Sequence, residues 1–276
     1  GKEVAGYDKT PSDITRELEM LGVEIHFDEA IHKIPAAFRN IENTLIVYTP
    51  AVPVTHKEYV YFTENGYEVQ KRAAVLGLIT KDSYCFAVAG THGKTTTSAI
   101  LAHLLKETGT AITAFLGGVS ENFNSNFLIE GDEFTVVEAD EFDRSFLHLS
   151  PTVACITSID ADHLDIYGNA EEMERTFVEF SKKVKPEGKL FVKNGLPIAG
   201  ITYGIEDDSD FSIRNITITN STYLFDLFTP TETIRGVRFN KPGKHNLLNA
   251  LAALAMATTL DTPLSRLAEA LATFKG

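Results

Sequence analysis

The chain has 276 residues, 43% hydrophobic and 23% charged, enough for two compact domains with cores of their own. A formal net charge of −13, with no basic run or stripe, excludes a general nucleic-acid surface, so any phosphate binding has to be local. No apolar run approaches the ~20 residues that cross a bilayer.

The chain opens on Gly1-Lys2-Glu3-Val4, without a Met, and reads as a strand entered midway; the expectation is a fragment. The spacing predicts a strand over 4–7 and a helix over 11–21, with Ile14, Leu18 and Leu21 on one face. Short strands are expected over 23–25, 44–48 and 67–69, and a helix over 72–79. This is the pattern of a small parallel α/β domain of partial Rossmann-like type. Lys81-Asp82-Ser83 reads as a linker, dividing residues 1–81 from 82–276.

The second part is a phosphate-loop type of α/β domain. A strand over 85–89 leads through a Gly-rich loop into a helix over 95–106, where Ile100, Leu101, Leu104 and Leu105 keep the helical period and Gly109 ends it. Further strands are expected over 111–115, 134–138, 153–159 and 189–192, and a helix over 170–184. The near-continuous apolar run 153–156 suggests a strand buried on both faces. Alternation over 211–218, 223–228 and 234–239 predicts a small antiparallel patch, and helices over 245–260 and 264–274 close the chain. The two cysteines, Cys85 and Cys155, lie inside apolar runs and form no Cys-x-x-Cys pair, which fits a reducing cytoplasm.

Gly90-Thr91-His92-Gly93-Lys94-Thr95-Thr96 joins an apolar strand to an amphipathic helix, the context a phosphate loop requires. Glycines let backbone N–H groups turn inward around an anion, and the helix N-terminus adds partial positive charge. Lys94 is placed for the β- and γ-phosphates of ATP, and the Thr95 hydroxyl for Mg²⁺. Val88 stands where the general pattern has its first Gly, so the loop is a shortened variant. The competing reading, a Gly-rich turn with an incidental Lys, ignores the agreement of strand, loop and helix.

Three more clusters follow. In Glu138-Ala139-Asp140-Glu141, at a strand's end, Glu138 or Asp140 is placed to hold the metal, since ligands of open parallel sheets sit beyond the strands' carboxyl ends; the alternative is a solvated charge run. His163, in Ser158-Ile159-Asp160-Ala161-Asp162-His163-Leu164-Asp165, reads as a metal ligand, a base or a capping residue, and imidazole is not a favoured Mg²⁺ ligand. His245, Asn246 and Asn249 fall in Gly243-Lys244-His245-Asn246-Leu247-Leu248-Asn249, before an Ala/Leu-rich helix; Asn side chains read an adenine edge and also cap helices.

Together these clusters resemble the Mur ligases, the ATP-dependent amino-acid ligases of peptidoglycan synthesis. Gly-Thr-His-Gly-Lys-Thr-Thr-Thr over 90–97 is similar to their short phosphate loop, where Val88 is no anomaly. The segment 138–149, Glu-Ala-Asp-Glu-Phe-Asp-Arg-Ser-Phe-Leu-His-Leu, resembles the acidic segment of the members that join L-alanine to UDP-N-acetylmuramate. Arg72-Ala73-Ala74-Val75-Leu76 resembles an Arg-Ala-x-x-Leu of the family's first domain. The resemblance spans essentially the whole chain. It implies that Lys94 contacts phosphate, that Thr95, Glu138 and His163 ligate Mg²⁺ (Mn²⁺ as an alternative), with one of the latter two at a second site, and that His245, Asn246 and Asn249 line the adenine. Lys94, Glu138 and His163 would carry the chemistry, and Asp8, Thr49 and Arg72 would lie near the UDP-sugar. It also implies an upstream Gly-rich loop, a C-terminal domain absent from this chain that supplies an Arg to ATP and most of the amino-acid pocket, and a stretch over 193–200 that is short for the family. The implied partners are UDP-N-acetylmuramate and L-alanine, with neither nucleic acid nor membrane. Two alternatives stay open: a related ligase that adds a peptide during wall recycling, and a nucleotide-binding module without chemistry.

Overall fold

The computed structural model describes residues 2–160, 167, 169–220 and 222–276. Two compact units result, Gly1–Val75 and Leu76–Gly276. The first contains β1 (Ala5–Tyr7), α1 (Asp13–Met20), β2 (Glu24–His26), β3 (Leu45–Tyr48), α2 (Lys57–Glu64) and β4 (Glu68–Lys71). Helix α3 (Arg72–Lys81) begins in it, so the division falls inside this helix, upstream of the expected linker at 81–83. β1 pairs with β2 and β3 with β4, both parallel, as two separate two-stranded sheets. α1 starts on a capping box, in which Ser12 and Thr15 satisfy each other's backbone N–H. α2 was not expected from the pattern; it buries Phe62 in a small core with Ile34 and Tyr67.

The second unit is built on one ten-stranded sheet. Its elements in order are β5 (Tyr84–Ala89), α4 (Lys94–Glu107), β6 (Ile112–Ser120), β7 (Ser125–Ile129), β8 (Phe134–Ala139), β9 (Val153–Ile156), α5 (Ala170–Ser181), β10 (Lys189–Lys193), β11 (Ile201–Ile205), β12 (Phe211–Thr219), β13 (Thr222–Phe228), β14 (Thr233–Phe239), α6 (Lys244–Ala257) and α7 (Leu264–Leu271). The strand order is β14-β13-β12-β11-β10-β9-β5-β8-β6-β7. Pairing is parallel from β12 through to β6, and antiparallel at β6–β7 and across β12–β13–β14, so the expected antiparallel patch extends the main sheet. The sequence reading left out β7 and β11, stopped β6 short of Ser120 and ran β9 on past Ile156.

Both faces of the sheet are covered, which is why its inner strands read as unbroken apolar runs. Along β5, Phe86 and Val88 enter a core formed with α4, α6 and α7, while Cys85, Ala87 and Ala89 enter a second core with Phe146, Met173, Phe177 and Phe180. Small residues on α6, among them Ala250, Ala253 and Ala257, are fully buried in the first core. The seven-residue link between the parallel strands β10 and β11 carries no helix, and its Leu196 and Ile198 lie against the second core.

Candidate active site

The loop after β5 is shaped by its two glycines. Gly90 has φ 138°, and a Cβ there would overlap Thr157 Oγ1 and stand 2.9 Å from the Ser158 nitrogen. Gly93, with φ 87°, is the N-cap of α4 and supplies no side-chain cap. By contrast α1 and α5 are capped by Ser12 and Asn169. Among the described residues no N-cap side chain takes up the orphan N–H groups of the first turn of α4, which is the arrangement that receives an anion.

The segment after β9 braces the loop from one side. Thr157 Oγ1 donates to His92 O at 2.5 Å, and Ser158 Oγ accepts the His92 N–H at 2.9 Å. Thr91 Oγ1 lies 2.8 Å from Ser158 Oγ and accepts the Asp160 N–H at 3.1 Å. Asp160 also stands 3.7 Å from His92 Nε2, on the exposed rim.

The segment after β8 closes the other side. Lys94 Nζ donates to Gly90 O at 2.7 Å and to Glu141 Oε2 and Oε1 at 2.7 and 3.0 Å. Glu141 is 1% exposed. Its carbonyl accepts the Arg144 N–H at 2.9 Å and the Tyr167 hydroxyl. Burial, and next the Glu141 carboxylate, push Tyr167 up to about 12, so the phenol keeps the proton it donates. Glu138 lies three residues earlier, near the end of β8. Its Oε1 accepts the Gly117 N–H at 2.6 Å and stands 3.4 Å from Ser98 Oγ. Thr95 is exposed, and a Cβ on Gly118 would meet its methyl at 3.5 Å. Glu138 and Thr95 therefore border the same Gly117-Gly118 stretch.

Asn249 comes from far along the chain. A Cβ on Gly93 would meet its Oδ1 at 2.6 Å, so this buried amide lies directly on the loop. One helical turn earlier, Asn246 gives its amide to Pro242 O at 2.6 Å, a bond to the preceding loop and not the N-cap the residue type suggests, and His245 is exposed with its ring close to Gly243. His163 lies outside the described residues. Asp8, Thr49 and Arg72 each follow directly on a strand (β1, β3 and β4), but β1 belongs to one two-stranded sheet and β3 and β4 form the second.

The structure thus brings together 90–96, Glu138 and Asn249. It adds residues to which the sequence reading gave no role: Glu141, Thr157, Ser158, Asp160 and Gly117. Glu141 and Ser158 stood inside clusters already singled out; what picks them out is their place beside β5.

A strand, a glycine-shaped turn, a helix N-terminus that Gly93 leaves without a side-chain cap and a lysine at the first position of that helix make up an α/β unit of the phosphate-loop type. The comparisons narrow this class. Residues 88–257 match the Mur ligase middle domain, and residues 1–84 match the family model described as Mur ligase family, catalytic domain. The chain belongs to the Mur ligase family. It is 59% identical over 276 residues to a UDP-N-acetylmuramate–L-alanine ligase of Flavobacterium psychrophilum and 58% identical over 277 to one of Christiangramia forsetii. Each match covers the whole chain and 61% of the relative, so the chain spans about three fifths of their length. Among solved structures, a UDP-N-acetylmuramate–alanine ligase from Thermotoga maritima superposes with a TM-score of 0.83 at 27% identity, covering 99% of this chain and 63% of that one. A UDP-N-acetylmuramate:L-alanyl-gamma-D-glutamyl-meso-diaminopimelate ligase from Neisseria meningitides reaches the same score at 24% identity, covering 99% and 90%, which shows the shared fold.

Proposed function

We propose that this protein serves as a cytoplasmic ATP-dependent ligase joining L-alanine to the lactyl carboxylate of UDP-N-acetylmuramate, in peptidoglycan precursor synthesis. The observation that carries the reading is the convergence on one loop of segments that follow β5, β8 and β9 and of Asn249 from α6. The names of the relatives at 58–59% identity supply the substrates.

In this reading the lactyl carboxylate oxygen attacks the γ-phosphorus of ATP, and ADP leaves with the bridging oxygen. The L-alanine nitrogen then attacks the acyl carbonyl carbon, loses a proton, and phosphate departs with the C–O bonding pair. The chain's own residues align and neutralise. The α4 N-terminus and the loop N–H groups hold the phosphates. Lys94 places a positive charge beside them, and Asn249, with His245 and Asn246, faces the adenine side. Asp8, Thr49 and Arg72 bind the UDP-sugar.

The donor set fits Mg²⁺, or Mn²⁺ in its place: Glu138 and Thr95 offer hard oxygens along the same Gly117-Gly118 stretch. Among the described residues no group of three or more His, Cys, Asp or Glu is placed to hold a metal, so phosphate oxygens would complete the shell, with His163 as a further ligand. When bound, the ion would supply charge neutralisation at the β- and γ-phosphates.

The test is phosphate release by the full-length protein. Release should require both UDP-N-acetylmuramate and L-alanine, and Lys94→Ala should abolish it. Equal turnover with other amino acids, or with a tripeptide in place of L-alanine, would refute the assignment.

A further inference from the structure

The geometry points to Glu141 as a positioning residue for the phosphate-loop lysine, one that holds Lys94 to the loop and competes with nucleotide for its charge. The inference rests on the ATP-binding reading above. An ammonium has three N–H donors. In Lys94 they face three acceptors at hydrogen-bond distance: Gly90 O at 2.7 Å and both Glu141 oxygens at 2.7 and 3.0 Å. The lysine is saturated, so a phosphate oxygen gains a donor only by displacing one of these.

Glu141 cannot follow if the lysine leaves. It opens the turn after β8, in which Asp143 and Arg144 take φ of 51° and 55°, a conformation that side chains rarely adopt. That turn is tied down by Phe146 N–H on Asp140 O at 2.9 Å, by Phe142 N–H on Asp140 Oδ1 at 3.1 Å, and by Arg144 on Glu172 of α5 at 2.7 Å. Tyr167 holds the Glu141 carbonyl as well. If Lys94 moved wholly onto phosphate, a carboxylate 1% exposed would be left unpaired beside a polyanion, which is costly in both desolvation and repulsion. Lys94 therefore keeps part of its hold on Glu141 while donating to phosphate. Glu141 opposes nucleotide binding and, by the same contact, fixes where the ammonium sits during phosphoryl transfer.

Glu141→Gln separates these effects from a merely structural role. A neutral amide keeps the volume and one acceptor but releases the charge. The dissociation constant for MgADP, measured by calorimetry, should fall by about tenfold, while kcat falls by at least about tenfold and KM for ATP drops with it. A loop that had only lost support would instead bind nucleotide more weakly. Should Glu141→Gln fail to fold, Glu141→Asp, which withdraws the carboxylate by one methylene, should tighten MgADP by about threefold and lower kcat. Wild-type protein that binds neither ADP nor ATP would overturn the ATP-binding reading itself. Wild-type binding with unchanged or weakened affinity in the variant that folds would overturn the role of Glu141 alone.

Discussion

Gly93 and Gly109 form a matched pair that tests whether Asn249 lies on the phosphate loop. Their φ angles are 87° and 91°, so an alanine meets nearly the same backbone strain at both, ~1–2 kcal/mol. The entropy removed from the unfolded chain is also the same. Their surroundings differ. At Gly109 an added Cβ meets nothing within 4 Å, whereas at Gly93 it stands 2.6 Å from Asn249 Oδ1 and 3.3 Å from its Cγ. Asn249 is 9% exposed and has little room to swing away, so the crowded contact adds ~1–3 kcal/mol. Gly109→Ala should cost ~1–2 kcal/mol and Gly93→Ala ~2–5 kcal/mol by these sums. In an Asn249→Ala background the excess should vanish, leaving Gly93→Ala close to Gly109→Ala. The assay is urea unfolding followed by circular dichroism on the two single variants, Asn249→Ala and the Gly93/Asn249 double variant, read as a double-mutant cycle. Equal costs at the two glycines, or strict additivity with Asn249→Ala, would refute the approach of α6 to the loop.

His103 in α4 is buried; its Nε2 faces Ala270 O at 3.0 Å and Thr273 Oγ1 at 2.9 Å, and its Nδ1 accepts from the Asn122 amide at 3.1 Å, so the ring is neutral. Burial lowers its pKa below the usual value, so the unfolded chain takes up this proton first as pH falls; its stabilising effect is complete above about pH 6.5 and declines below it. The melting temperature should fall more between pH 7 and 5 in the wild type than in His103→Gln. Burial pushes the thiols of Cys85 and Cys155 up to about 11 and about 12, so neither should react with iodoacetamide at pH 8 in native protein, and both should in urea. In the first unit His56 is 4% exposed, its Nε2 has no hydrogen-bond partner among the described residues, and its ring lies 4.4 Å from that of Tyr7. His56→Phe keeps the ring contact and removes the orphan nitrogen, and should stabilise the protein by about 1 kcal/mol, seen as a higher melting temperature.

What could be read in advance follows from where each signal resides. The inner strands β5, β8 and β9 are apolar on both faces, and α4 has a strict period, so their residues alone specify them. β7 escaped because it is an edge strand, exposed along much of its length. β11 contains Gly204, which breaks the run of strand formers. In α2 the stretch Tyr59-Val60-Tyr61-Phe62-Thr63 favours a strand by propensity; the helix forms because tertiary contacts override it, with Phe62 in the core and Glu58 buried against His26 at 2.7 Å. The lysine of the loop was legible as a motif. Its carboxylate partner was not, because the Lys94–Glu141 contact depends on the β5–β8 register, which sets Ala89 opposite Ala139, and on the left-handed turn at Asp143 and Arg144.

That dependence on register explains why the site forms at this place in the sheet. β5 is flanked by β8 and β9, both parallel to it, so the chain leaves all three strands at the same edge. The connections then part. α4 leads from β5 over the face that carries α6 and α7, while the segments after β8 and β9 build the opposite core with Phe146 and α5. Where successive connections go to opposite faces, a crevice opens at the strands' carboxyl ends, and that is where open α/β sheets bind ligands. The polar residues that follow β8 and β9 therefore meet the loop whatever their distance in sequence. Glu138 and Glu141 reach it from one side, and Thr157, Ser158 and Asp160 from the other. Asn249 reaches it because α6 packs along α4, and α4 begins at the loop itself. A change of strand order would scatter these residues while leaving every local motif intact, so the chemistry of the site is a property of the topology as much as of the loop.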